Sequence, residues 1–239
     1  LAMQIKISYT RNEPEDTIAG NPTEGYVTMA VSHYGESETF TTFDDRSLVI
    51  YWMQGEDTEE NREAAIRNGQ VLKYQENLQV DLHDGAKLFI TGKRGAQTNL
   101  VVSKATQETL KVSPKVLTLT ADDKYRSYGE RNGEFSFTFN KEQLASADQE
   151  KLRGYSGAMD DNALQYLGRS GLLYNPPTVS TTATQGSSVL SDGQGGYRGY
   201  PITVSGGGLS NYSFEYKPGN LYVYPRMIKI DGFGSRKGE

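Results

Sequence analysis

Two segments set 111 residues apart carry one pattern. Residues 110–117 read LKVSPKVL and residues 221–228 read LYVYPRMI. Each is an alternating apolar strand, then a proline, a basic residue and the start of another strand. Proline lacks a ladder donor and restricts the residue before it, so Pro114 and Pro225 interrupt sheet pairing at the same point of each copy. Looser echoes frame the same units. Residues 4–7 (QIKI) resemble 227–230 (MIKI), and 99–114 resemble 211–225 with one extra residue. The pattern predicts a tandem array cut in register: residues 1–114, residues 115–226, and 227–239 as a tail or the start of a further unit. The period exceeds that of compact solenoids, so the units are expected to be beads with their own cores, each of about 110 residues.

Period-two alternation dominates the chain. In the first unit it predicts strands at 4–10, 26–33, 38–43, 47–53, 78–82, 87–91, 99–102 and 108–112, with Asp44 and Asp45 turning between two of them. In the second it predicts 116–120, 134–139, 172–174, 178–182, 201–204, 212–216 and 221–224. Residues 199–225 read as two strands joined by a glycine turn at 206–208, then a turn at 217–220 and a closing strand. Gly129 and Gly133 are expected to relieve backbone strain. One stretch has helical character: residues 58–68, with Thr58 as cap, acids in the first turn and Gly69 as terminator. Short helices are expected at 144–153 and 160–166, and a mobile glycine-rich loop at 184–196.

The chemistry of most enzyme classes is missing. Cysteine is absent and there are only two histidines, His33 and His83, one per candidate strand region. That excludes disulfides and thiolate metal sites and leaves no local histidine pair. Absence of cysteine is neutral on compartment and speaks mildly against an animal extracellular protein. Asp81, His83 and Asp84 resemble a metal or base cluster, but a strand running into an Asp84-Gly85 turn explains the same residues. Glu59, Glu60 and Glu63 are read as a solvated helix face rather than a carboxylate metal site. Asp122-Asp123 and Asp160-Asp161 lack the spaced oxygen donors of a calcium loop, so calcium is kept only as a structural option. The glycines at 193–199 lack a phosphate-loop ending, and no serine sits in a nucleophile elbow. A Lys–Asn isopeptide crosslink beside a buried acid stays an option that the sequence does not place.

The net charge of −5 comes without a basic run, which argues against nucleic acid. No apolar stretch reaches bilayer length and no signal segment is present. A start at Leu1 reads as an excised or processed piece, so missing targeting signals carry no weight. Tyrosine is abundant and unequally shared, five in the first unit and eleven in the second. These are expected to be half-buried strand residues with wet hydroxyls, with a ligand-binding aromatic surface as the alternative.

Residues 116–129 (VLTLTADDKYRSYG) carry a resemblance. An alternating strand is followed by Ala121, Asp123, Lys124 and the Tyr128-Gly129 pair, as at the opening of an MBG domain. Glu130 stands where that family usually has Asp. The later part of the family pattern resembles 177–184, 200–204, 210–214 and 217–223. The resemblance covers roughly residues 115–226 and departs between 139 and 172, where a charged, partly helical segment replaces a shorter loop. Residues 1–114 match only through their boundaries.

The resemblance implies secreted or surface-attached bacterial proteins, often filamentous-haemagglutinin-like adhesins exported by a two-partner route. It transfers no catalytic residue. The expectation is therefore a mainly β chain of tandem extracellular modules, β-grasp-like or an Ig-like sandwich, with a short helix in the first. No catalytic, cofactor-binding or metal-ligating residue is assigned. The expected function is a non-catalytic stalk or presentation segment of a bacterial surface adhesin, monomeric, with neighbouring modules of the same chain as partners. The alternative is direct binding of a glycan, host protein or matrix protein through residues 1–114 or the 184–200 loop. A polysaccharide-acting enzyme would need two carboxylates facing across a groove.

Overall fold

The structure is a computed structural model. It describes residues 51–71, 79–87, 89 and 112–228 in full, and the backbone alone of 4–11, 27–33, 36–40, 48–50, 88, 90–92 and 101–102. The expected strand at 108–112 and the turn at Asp44-Asp45 lie outside these residues, Val112 excepted. The described part is strand-rich, with a few short helices and, in the C-terminal half, two curled sheets.

In the N-terminal half, β1 (Gln4–Arg11), β2 (Val27–His33) and β3 (Glu36–Phe40) form an antiparallel meander. β4 (Leu48–Met53) and β5 (Lys87–Gly92) pair as a ribbon, and β6 (Val101–Val102) lies parallel to β1. Between β4 and β5 comes helix α1 (Glu59–Arg67). Its start follows the sequence: the Thr58 side chain accepts from the Asn61 N–H at 3.1 Å, and Gly69 takes φ +74° just past its end. Ala65 packs on Tyr51, Met53 and Phe89.

The strand expected at 78–82 is instead one helical turn, α2 (Val80–His83). A helical turn puts residues three apart on one side. His83 is therefore fully buried while Leu82 is exposed, the reverse of what alternation demands. The turn is fixed by polar partners no periodicity shows. The His83 Nδ1 accepts from the Gln79 N–H, and the Val80 N–H donates to Asn211 Oδ1, both at 2.9 Å. Gly85 then turns the chain at φ +77°. Asp84 Oδ1 accepts from the buried Val112 N–H at 3.0 Å. Two hydrogen bonds thus tie the α2 turn to residues of the C-terminal half and its junction.

In the C-terminal half the strands are β7 (Lys115–Ala121), β8 (Lys124–Ser127), β9 (Phe137–Thr138), β10 (Tyr174–Asn175), β11 (Thr178–Thr181), β12 (Tyr200–Ser205), β13 (Gly208–Leu209), β14 (Tyr212–Lys217) and β15 (Gly219–Tyr224). One sheet runs β10-β13-β14-β7-β9 and the other β11-β12-β15-β8. β9 is shorter than the expected 134–139, and β8 was not anticipated as a strand. Gly206 and Gly207 reverse the chain at φ +66° and +74°. Gly129 has φ +84°, but Gly133 is not among the residues with positive φ, so it relieves no strain of that kind.

The 217–220 segment is not a reversal. β14 is parallel to β7 and β15 is parallel to β8, at the same offset of 97 residues. The offset is therefore the same from the pairing of Lys115 with Tyr212 to that of Ser127 with Tyr224, although the two ladders lie in different sheets and are separated by the 121–123 and 218–220 segments. Both chains kink together and pass from one sheet into the other. Pro218 and Gly219 lie opposite Ala121 and Asp122 at the kink. A Cβ on Gly219 would sit 2.5 Å from the Ala121 carbonyl oxygen, so only glycine lets the backbones approach. The Asp123 carboxylate accepts from the Asn220 N–H at 2.8 Å, standing in for a ladder acceptor.

One core lies between the sheets. Leu117, Leu119, Ile202, Leu221 and Val223 point into it with helix residues Ala163, Leu164 and Leu167. Those three share one stripe of helix α4 (Asp161–Arg169), which the Asp160 side chain caps. Helix α3 (Ser146–Lys151), flanked by 3-10 turns at Lys141–Gln143 and Leu152–Gly154, fills the stretch expected to be helical. Among the described residues no helix is long and apolar enough to cross a membrane.

Candidate functional site

β8 is an edge strand of sequence KYRS. Its inward residue is a cation, Arg126, buried and held by neutral oxygens: Nε donates to Asn132 Oδ1 at 2.8 Å and Nη2 to the Thr184 carbonyl at 2.6 Å. Asn132 in turn donates to the Ala183 carbonyl at 2.7 Å. A buried guanidinium satisfied this way anchors the 184 loop to the strand. Alternation then sends Tyr125 outward.

Register places Tyr125 directly beside Tyr222, with Tyr224 two residues on along β15. Tyr125 stacks on Tyr222 at 5.4 Å and on Tyr224 at 6.1 Å, in nearly parallel planes. Tyr197, from the glycine-rich loop, meets Tyr224 edge-on at 5.1 Å. Tyr125 is 62 % exposed, and Tyr128, Tyr197 and Tyr224 are also exposed. This is the largest exposed aromatic group among the described residues, on the outer face of the second sheet. Stacking contributes about 0.5–1.5 kcal/mol per aromatic pair when buried and less here. It also fixes ring positions, which lowers the entropy cost of contact with a partner.

A second concave feature lies in the N-terminal half, a groove of about 360 Å³ bounded by Trp52, Gln54, Asn61, Gln70, Asp81 and Leu82. The amide nitrogens of Gln54, Asn61 and Gln70 each donate to backbone carbonyls.

The residues weighed as chemistry from the sequence take structural positions. His83 is buried against Trp52 at 5.1 Å, and Asp84 binds the Val112 amide. Asp122 accepts from the Ser136 hydroxyl at 2.6 Å, and Asp161 accepts from the Tyr174 hydroxyl at 2.5 Å. Glu59, Glu60 and Glu63 are solvent-exposed along α1. His33 lies in β2, where only the backbone is described.

The buried acid is Asp148. The Tyr212 hydroxyl donates to it at 2.5 Å and accepts from the Ala145 N–H at 2.8 Å, and Lys151 stands 3.2 Å away. Burial, reinforced by Asp148, raises the Tyr212 pKa above the usual phenol range. Burial and Asp161 do the same for Tyr174. In the exposed loop, backbone N–H groups of Gln194 and Gly196 hold the Asp192 carboxyl below its ordinary value.

The geometry defines a strand-built module with a stacked tyrosine group on the outer face of one sheet. Residues 117–222 match the family profile for the MBG domain (YGX type), a family found in surface proteins. Tyr128-Gly129-Glu130 carries the Tyr-Gly-X element, at the turn closing β8. No curated protein and no solved structure matches the chain.

Proposed function

We propose that this chain is a non-catalytic segment of a large bacterial surface adhesin, acting as an extended stalk that presents a binding region elsewhere. The observation that carries this reading is the strand pair in constant register. The chain enters the second unit at Lys115 and leaves at Tyr224, the opposite end of that pair. Entry and exit at opposite ends are what a module strung in an array requires. The MBG match supports a surface setting.

The array divides at 1–114, 115–226 and 227–239. Ile228 holds the repeat position of the fully buried Leu117 yet is 83 % exposed, as expected where a further unit begins. The core enclosed between two sheets favours a sandwich-like bead over a β-grasp. Neighbouring units of the same chain are the first partners, and the setting is the outer surface of a bacterium.

Small-angle scattering on residues 1–239 tests this. A compact chain of this length has a radius of gyration of about 18 Å. A stalk gives a clearly larger value and a rod-like distance distribution; a value near the compact limit sinks the reading. The second reading, direct recognition of a glycan or host protein, is favoured by the tyrosine group beside the 184–200 loop. A glycan array with matrix proteins, with and without calcium, tests it, and saturable binding lost in a Tyr125→Ser/Tyr197→Ser variant would establish it.

A further inference from the structure

We infer that residues 115–224 form a mechanical clamp, in which tension along the chain is resisted by shear across parallel strands. The inference deepens the stalk reading and rests on it only for the source of the load.

Tension on a chain in an array enters through Pro114 and leaves through Pro225. It pulls β7 by its N-terminal end and β15 by its C-terminal end. β8 continues β7, and β15 continues β14, so the two kinked strands are loaded in opposite directions, one from its N-terminal end and the other from its C-terminal end. Their pairing covers Lys115 to Thr120 with Tyr212 to Lys217, and Lys124 to Ser127 with Leu221 to Tyr224. Parallel ladder bonds run across the strand direction. Within each ladder a force along the strands loads all the bonds together, and none can fail until that ladder's register slides. Forces at one end would load the same bonds one after another.

Three features oppose that sliding. β12 flanks β15 on its other side, antiparallel, pairing Tyr200 to Ile202 with Leu221 to Gly219. At the kink, Gly219 is seated on the Ala121 and Asp122 carbonyls, so movement by one residue would drive Pro218 or Asn220 into that contact. A one-residue slip would also turn Leu221 and Val223 outward and bring the tyrosines into the core. At the loaded entry, the Lys115 N–H donates to the Asn211 carbonyl at 2.9 Å. At the exit, the Tyr128 N–H donates to the Tyr224 carbonyl at 2.8 Å, continuing the pairing past Ser127.

Single-molecule force spectroscopy on the 239-residue chain tests the clamp through two geometries. The first pulls between the chain ends. The second uses thiol handles in Arg131→Cys/Arg226→Cys, two exposed positions just past the C-terminal ends of β8 and β15, in a chain with no cysteine of its own. Handles at the same end peel the ladder apart instead of shearing it. Forced unfolding reports the barrier along the pulled direction. End-to-end pulling is expected to include one event that releases roughly 350 Å of chain from residues 115–224, at a force several-fold above that of the peeling geometry at equal loading rate. Equal forces, or a lower force through the chain ends, overturn the clamp. A compact scattering profile would defeat the stalk reading while leaving this force ratio intact, so the two failures are distinguishable.

Discussion

The two sheets of the C-terminal half are threaded by the same pair of kinked strands, yet they are finished differently. Leu117, Leu119 and Leu209 of the first sheet and Ile202, Val204, Leu221 and Val223 of the second share one core. The first sheet is closed by the charged, partly helical segment between residues 139 and 172. Gln143 Oε1 accepts from the Thr118 N–H of β7 at 2.9 Å, beside the short β9, and Tyr212 at the end of β14 ties to Ala145 and Asp148. The 3-10 turn at Lys141–Gln143 thus satisfies an edge group of β7 that would otherwise be offered to another chain. The second sheet carries Tyr125, Tyr222 and Tyr224 stacked together on its outer face. The shared strands set the module, and the sheets differ in their finish: a helical segment at an edge of the first, stacked tyrosines on the outer face of the second.

The core itself should not distinguish the sheets, and the largest effect expected is there. Leu119→Ala in β7 and Leu221→Ala in β15 should each cost about 2–5 kcal/mol, because both side chains are buried to 2 % exposure or less. Urea unfolding measures this. A loss confined to one of the two would break the claim of a single core.

Next comes the kink that joins the sheets. Gly219→Ala places a methyl against the Ala121 carbonyl and should cost about 1–3 kcal/mol, through a forced backbone shift. Amide hydrogen exchange should quicken in β8 and β15 together. Unchanged exchange there would show that the sheets are not coupled through the kink.

The closure of the first sheet is sharper in its pH dependence than in its size. Tyr212→Phe strands the buried Ala145 N–H and one Asp148 oxygen, at about 1–2 kcal/mol. The folded Tyr212 pKa lies above its unfolded value near 10, so the unfolded state loses its proton first as pH rises. The stabilisation is complete below about pH 10 and fades above it. Denaturation midpoints at pH 8 and pH 11 should fall less in Tyr212→Phe than in the parent. The remaining fall belongs partly to Tyr174, whose pKa is raised as well.

Much of this was legible because alternation and caps are local. β7, β12 and β14 lie close to the expected strands, and α1 begins and ends where Thr58 and Gly69 put it. What failed was non-local. β8 hid behind Lys124 and Arg126, since nothing in KYRS shows that a guanidinium will be buried by oxygens from residues 132 and 184. α2 took its form from Asn211, over a hundred residues away. Residues 217–220 carry every turn signal, and only the partner strand reveals a kink. Tyr197 lies in a loop already suspected of contact. Its grouping with Tyr125, Tyr222 and Tyr224 depends on a register set across 97 residues.

The smallest effect concerns that tyrosine face. Tyr125→Thr keeps a strand-compatible residue on β8 and removes a ring that is mostly in water, so stability should change by only about 0.5 kcal/mol. The rings of Tyr222 and Tyr224 would lose their stacked neighbour, and near-ultraviolet circular dichroism should report it while the unfolding midpoint barely moves. On the first sheet Tyr212 is buried and bonded, whereas Tyr216 is exposed with its hydroxyl donating to the Gly206 carbonyl. If Tyr125→Thr destabilised the protein as much as Tyr212→Phe, the outer tyrosines would be part of the fold's support and the contrast between the sheets would collapse. If it left stability alone, these rings would be held in place by a module that does not need them, and selection for contact with something outside the chain becomes the simpler account of their presence.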